Sequence, residues 1–512
     1  MLAWFGDLSS GLVQAMQLAV FLSALLGVVV GVIIGVIPGL GPAIAISLAI
    51  PLTYSLGPMV AISFMLGIYK GGTYGGSISA ILINTPGTPA AAATVLDGYP
   101  LARQGKAGKA LDLALLASVI GDAVGVLILC VVAQPVAAIA LKFGPVELFS
   151  LLLFALTVIA TLAGKSLLKG FIAAGLGLML ATVGMDPVSG MPRFTFDLLV
   201  LDDGFPIIPM VIGLFAVAEV LAQAERVVSS SGGALLPPPS SRDDERVTRV
   251  EFRRTLPIVL QSSLIGTTIG ALPGTGSTTA AFLAYGAAQK RSRAPEEFGK
   301  GSIEGVAAAE SGNNAVCGGA LIPMFTLGIP GDVVTAILMS ALVLHGIHVG
   351  PLIFQDNRAF VFGIFAMLLI SILMLLFVGK AAIRVFRQLA SMPQAIIMPI
   401  VLVLCVIGAY STNYAVSDIW MMLAFGLLGY VMNKLGLPLP PLIIAFVLAP
   451  QWEQSLRLAL LLSRGDYTVF FTSPISAAFI FLAAVVAVQV GRKAYRGRAG
   501  ASALRGQRIS ES

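Results

Sequence analysis

Two short stretches decide what this chain can be. PGLGPAI at residues 38–44 follows the apolar run GVIIGVI, and PGTGSTT at 273–279 follows GTTIGAL. A proline and two glycines stop a helix, since proline has no N–H to donate and glycine is costly to hold helical. In lipid, a stopped helix leaves backbone groups with no water to bond. Such breaks survive only where protein buries them or where they line a watery cavity. The same break occurs twice at one offset. Gly31, Gly35, Pro38, Gly39 and Gly41 match Gly266, Gly270, Pro273, Gly274 and Gly276, each pair separated as 273 − 38 = 235.

Composition shows that the surroundings are lipid. Of 512 residues 57% are hydrophobic and 11% charged, against about a quarter charged in a soluble domain. Residues 8–69 and 255–289 contain no Asp, Glu, Lys or Arg. Spans of roughly 20 residues predict about a dozen transmembrane helices, an all-α polytopic membrane protein. Soluble classes are excluded. Cys130, Cys317 and Cys405 stand alone in apolar runs and read as buried small residues. The first apolar run lacks a basic n-region and an A-x-A site, so it is read as structure and not as a signal peptide. The net charge of +6 lies in loops and the C-terminal stretch, where it reports orientation and not nucleic-acid binding.

A polar linker, SSSGGALLPPPSSRDDERVTRVEFRR at 229–254, divides the chain into membrane halves 1–228 and 255–491. Its basic end and the basic tail 492–512 (Arg492, Lys493, Arg496, Arg498, Arg505, Arg508) are expected on the cytoplasmic side. The halves share a second pair of breaks. GGSISAILINTPGTP at 75–89 resembles GGALIPMFTLGIPGD at 318–332, matching Pro86-Gly87 to Pro330-Gly331 with one residue of slippage. The first half is expected to start outside and the second inside. This makes an inverted repeat, with discontinuous helices or re-entrant hairpins at the Pro-Gly breaks, as in many secondary transporters.

Paired breaks at matching points predict a polar site within the bilayer, with the two first breaks facing each other. A helix starting after a break offers free N–H groups and a positive dipole end, which suit an anion. The substrate candidates are Pro38, Gly39, Gly41, Asn84, Thr85, Pro86, Gly87, Pro273, Gly274, Thr275, Gly276, Ser277, Thr278, Asn313, Asn314, Pro330 and Gly331. Glu310 and Asp332 are candidates for a coupling cation, Na+ or H+, with no other cofactor and no metal site expected. Each has a plainer reading beside it. Gly27, Gly31 and Gly35, like Gly266 and Gly270, suit helix packing, and Pro38 and Pro273 suit simple kinks. The asparagines suit local backbone bonding, and the two acids suit helix ends in water. Asp122, Glu147 and Glu219 are expected near interfaces. His345 and His348 lack a third ligand.

GVIIGVIPGLGPA, YKGGTYGGSISAILINTPGTPAAAATVLDGYPLARQGKAGKAL, GTTIGALPGTGSTTAAFLAYGAAQK and GKGSIEGVAAAESGNNAVCGGALIPMFTLGIPGD resemble the large membrane subunit of the tripartite tricarboxylate transporters, the TctA family. The resemblance runs from about Val20 to Leu448. It implies the translocating subunit of a secondary uptake system in a bacterial inner membrane. A small membrane subunit and a periplasmic solute-binding protein would be its partners. Citrate-like or other organic carboxylates would be carried with a cation gradient. No GxxxxGK[ST] loop is present, so energy is expected from an ion gradient or another subunit. A channel or an intramembrane enzyme are the alternatives. The second of these would need a catalytic constellation, which the two histidines and the loop pairs Asp202-Asp203 and Asp243-Asp244 do not make.

Overall fold

The computed structural model describes residues 2–162, 166–186, 189–226, 244–389 and 394–489. Most of the linker and the basic tail 492–512 lie outside the described residues. The described chain is helical apart from one small hairpin, in which β1 (Gly184–Met185) pairs antiparallel with β2 (Pro192–Arg193).

After α1 (Leu2–Ala15), the first half runs α2 (Leu18–Val36), α3 (Pro42–Thr53), α4 (Pro58–Ile83), α5 (Ala92–Leu101) and α6 (Ala107–Ala140). Then come α7 (Pro145–Leu162), α8 (Leu167–Leu180), α9 (Ile207–Val211) and α10 (Ala218–Arg226). The second half runs α11 (Arg249–Gly270), α12 (Gly276–Arg291), α13 (Ile303–Gly319), α14 (Leu321–Leu327), α15 (Val333–Leu344), α16 (Ile353–Asp356) and α17 (Arg358–Leu389). It closes with α18 (Gln394–Asn413), α19 (Val416–Leu435), α20 (Leu439–Leu462) and α21 (Val469–Thr472). Five described helices are long and apolar enough to cross a membrane, and further apolar helices, α3 and α15 among them, are shorter. Those two are short because a break precedes each.

Helix α11 starts inside the stretch that reads as linker. Thr248 and Glu251 form a reciprocal capping box there, each side chain taking the other's backbone N–H, and the T-x-x-E spacing nucleates the helix at Arg249. Burial pushes the Glu251 carboxyl up, but Lys109 Nζ at 2.7 Å and the Thr248 donors more than offset it, so it titrates below the usual range.

The chain forms two compact units, each drawing on both sides of the linker. One comprises Met1–Leu141 with Pro206–Tyr430, the other Lys142–Phe205 with Val431–Ser512. In the smaller unit α20 packs on α7 and α8. The hairpin is tied down there by Arg193 on Glu453 (2.8 and 3.2 Å) and by Arg457 on Asp186 and Glu453. Glu147 caps the start of α7 through the Gly144 N–H.

The larger unit contains both copies of the repeated pattern. Helix α2 lies on α4 as α11 lies on α13. A Cβ on Gly31 would strike Ile68 and Gly72, and one on Gly266 would strike Gly312 and Ala315. The small-residue faces are therefore packing faces, letting backbones meet where a methyl group would not fit. The half-helices then cross over: α3 contacts α15, and α12 contacts α5 and the turn before it. Each helix that follows a first break thus packs on the helix following the second break of the other half.

Candidate functional site

The first breaks are copies of one turn. Helix α2 ends at Val36 and α3 starts at Pro42; α11 ends at Gly270 and α12 starts at Gly276. In the first, Ile37 N–H bonds to Ile34 O and Leu40 N–H to Ile37 O. In the second, 235 residues on, Leu272 N–H bonds to Ile269 O and Thr275 N–H to Leu272 O. Gly39 and Gly274 take φ of 87° and 77°, left-handed backbone that side chains resist. Neither α3 nor α12 has a side-chain cap on its first N–H groups. Each therefore presents a helix N-terminus with unpaired donors and about half a positive charge. Ser277 and Thr278 are half-buried over the first turn of α12. Thr275 is different: its hydroxyl is spent on the Ile269 and Leu272 carbonyls, at 2.5 and 3.0 Å.

The second breaks are built the other way. Helix α4 stops at Asn84, left-handed at φ 56°, and α14 stops at Gly328, φ 69°. Four residues later each new helix is capped: Thr88 accepts from Ala91 N–H, and Asp332 from Thr335 N–H at 2.8 Å. These caps share one offset (332 − 88 = 244). Gly87 and Gly331 occupy equivalent crevices. A Cβ on Gly87 would land on the Gly35 carbonyl and Gly76, and one on Gly331 on the Gly270 carbonyl and Ala320. The one-residue slippage falls between Gly319 and Pro330, where α13 gives way to α14 at Ala320. Within the second half the first break is bonded to the second, Gly274 N–H to Gly331 O at 2.8 Å. Asn84 and Thr85 are exposed, whereas Pro330 and Gly331 are buried.

Between the breaks lies a polar seam in an otherwise apolar interior. Tyr69 on α4 donates to Asp332 at 2.7 Å. Lys70, 1% exposed, stands 2.8 Å from Asp122 on α6 and donates to the Leu368 carbonyl of α17 at 2.6 Å. The Lys70–Asp122 contact is an ion pair by distance, although neither Asp122 oxygen accepts a hydrogen bond of good angle. Glu310, fully buried, accepts from Ser77 (2.5 Å), Thr94 and Ser118 (2.9 Å). Asn314 donates to Ser118 at 2.8 Å and to the Glu310 carbonyl at 3.0 Å. Asn313 is buried with both side-chain ends unpartnered. The asparagines and Glu310 therefore sit deep in the packed core, away from any helix end in water.

Three groups escape the reading from sequence. Asp122 is expected near an interface but is buried, because a lysine 52 positions earlier in the chain neutralises it. Glu219 accepts from Gln223 Nε2, which in turn donates to the Pro38 carbonyl at 2.9 Å, so α10 buttresses the first break. Asp97 gathers the Gly299, Gly301 and Ser302 N–H groups at 2.8–2.9 Å and the Tyr285 hydroxyl at 2.9 Å, fixing the loop into α13. A lone acid or lysine in an apolar run is itself a signal, but its partner is set by tertiary packing.

Residues 21–444 match the family model described as the tripartite tricarboxylate transporter TctA family. The chain is 37% identical over 434 residues to an uncharacterized 52.8 kDa protein in the TAR-I ttuC' 3' region of Agrobacterium vitis, covering 84% of this chain and 85% of that one. It is 38% identical over 223 residues to an uncharacterized protein in the TAR-II ttuC' 3' region of the same organism, covering 44% of this chain and 92% of the relative. No solved structure matches.

Proposed function

The chain belongs to the tripartite tricarboxylate transporter TctA family, a family of multi-pass membrane transporters and not of enzymes, and on that footing we propose the finer reading. It is the large permease subunit of a binding-protein-dependent secondary transporter that imports tricarboxylates or other organic carboxylates across a bacterial inner membrane. A periplasmic solute-binding protein delivers the substrate, a small membrane subunit assembles with this one, and Na+ or H+ moves inward with the cargo. The halves form an inverted repeat, and movement of one part against another exposes the site on alternate sides.

The observation that supports this reading most is the pair of uncapped helix N-termini at α3 and α12. A carboxylate bonded by free N–H groups and a positive helix end needs no buried arginine. The Ser277 and Thr278 hydroxyls add donors that reward a carboxylate over a neutral molecule. Of the two acids available to the cation, the geometry favours Glu310, because the Asp332 carboxylate is engaged in capping α15. A channel reading has nothing comparable behind it, since paired interruptions in two halves suit a closed site better than a continuous pore.

The experiment is uptake of labelled carboxylates by cells lacking the gene and complemented with it, the partner subunits present, with and without a sodium gradient. Uptake requiring both this chain and the binding protein is the expected result. Correct insertion with no uptake of any carboxylate would reject the substrate class.

A further inference from the structure

We propose that Glu310 is the acidic ligand of a desolvated monovalent-cation site of sodium size, completed by the Ser77, Thr94 and Ser118 hydroxyls and the Asn314 amide oxygen. The inference rests on the cation-coupled reading and gives that cation its place and ligands.

A buried carboxylate without a counter-charge is strongly disfavoured, and the other described buried acids of this unit avoid that situation. Asp122 faces Lys70, Asp112 faces Lys380, and Glu304 faces Arg254. Asp97 collects three backbone N–H groups, while Asp332 and Asp418 sit at helix starts, the latter beside the Asn413 amide. Glu310 has only hydroxyls around it. One negative charge among neutral oxygens balances a single positive charge and would leave a divalent ion unbalanced. The shell is all oxygen, the donor type hard cations take.

A second observation is independent of the carboxylate. Asn314 Nδ2 lies 3.0 Å from the Glu310 carbonyl oxygen. That atom can only accept, so the amide orientation is fixed and Oδ1 is the end left over. Oδ1 is buried and has no partner; it belongs to the amide whose Nδ2 lies 2.8 Å from the Ser118 hydroxyl. A proton on Glu310 would neutralise the charge but would leave this oxygen unsatisfied; a metal cation meets both needs. The hydroxyls can switch role. Ser263, Thr267 and Ser311 on neighbouring helices donate to carbonyls four residues back. Ser77, Thr94 and Ser118 doing the same would turn lone pairs toward a cation and open the cage around it.

The ligands come from α4, α5, α6 and α13, one helix each apart from the two on α13. Cation occupancy therefore ties α5, the helix leaving the second break of the first half, to α13 of the second half. The site binds only when those helices are packed, which is what coupling requires.

The test uses the purified full-length chain in lipid nanodiscs. Thermal unfolding is followed while NaCl replaces choline chloride at constant ionic strength, for wild type, Glu310→Gln, Ser118→Ala and Asp332→Asn. We expect a saturable rise in Tm with Na+ in wild type and in Asp332→Asn. The Na+ midpoint should move about tenfold higher in Ser118→Ala, and Glu310→Gln should show no response while unfolding in choline at or above the wild-type Tm. A Na+ response retained in Glu310→Gln overturns the site but leaves cation coupling intact. No Na+ response in wild type, with acidification raising Tm instead, also overturns it and assigns Glu310 to a proton. Uptake in the assembled system that ignores both gradients would reject the coupling reading itself.

Discussion

The two kinds of break in this molecule look alike on paper and are opposite in construction. Each has a Pro-Gly pair at the end of an apolar helix, and each recurs in the second half at a fixed offset. At the first breaks, α3 and α12 start with no cap. At the second, Thr88 and Asp332 close the new helix at once, and Gly87 and Gly331 lock into crevices of backbone. A capped, close-packed break is a joint; an uncapped one keeps donors available. On the proposed function, ligand binding belongs to the first breaks, whose donors are free, and mechanical continuity to the second.

The largest effect expected from this contrast is on folding. Gly87→Val and Gly331→Val drive side chains into the Gly35 and Gly270 carbonyls, and each should cost about 3 kcal/mol or more. The check is the amount of folded protein recovered from membranes; normal recovery of either variant would remove the joint. Next comes a loss confined to transport. Ser277→Ala combined with Thr278→Val should raise the KM for uptake about tenfold, the size expected for losing a hydrogen bond to a charged ligand. Thermal stability should stay within about 0.5 kcal/mol of wild type. A fall in Tm with unchanged KM would reverse the roles of the breaks.

The caps should matter less, and for stability alone. Thr88→Ala and Asp332→Ala should each cost about 1 kcal/mol in chemical unfolding. Asp332→Asn should cost only a few tenths, since asparagine caps as well as aspartate. A strong loss of uptake in Asp332→Asn at normal stability would show that its charge serves transport as well.

The sequence made much of this legible, for identifiable reasons. The breaks at 37–41 and 271–275 could be read because proline and glycine act locally and because the repeat doubled the signal. The capping difference was readable too: Thr88 and Asp332 are good N-cap types just before apolar runs, at one offset, yet the reading grouped all four breaks as ligand sites. Glu310 stood out as an acid within a helix, but its cage did not. Ser77, Thr94 and Ser118 lie far from it in the chain, and hydroxyls are too common in apolar helices to mark a site. Lys70 went unmarked in the sequence reading, and its pairing with Asp122 depends on how α4 packs against α6. Local chemistry is written in neighbouring residues; partners across helices are not.

In the proposed function, substrate engages the first breaks and not the second. This can be measured within one molecule. Single cysteines would be placed by Ser277→Cys and Thr85→Cys, with Cys130, Cys317 and Cys405, all buried, replaced by alanine. Maleimide labelling rates would then be followed in the assembled transporter as a transported carboxylate is added. Labelling slowed at least fivefold at position 277 and unchanged at position 85 is the expected result. Protection at position 85 with none at position 277 would contradict it.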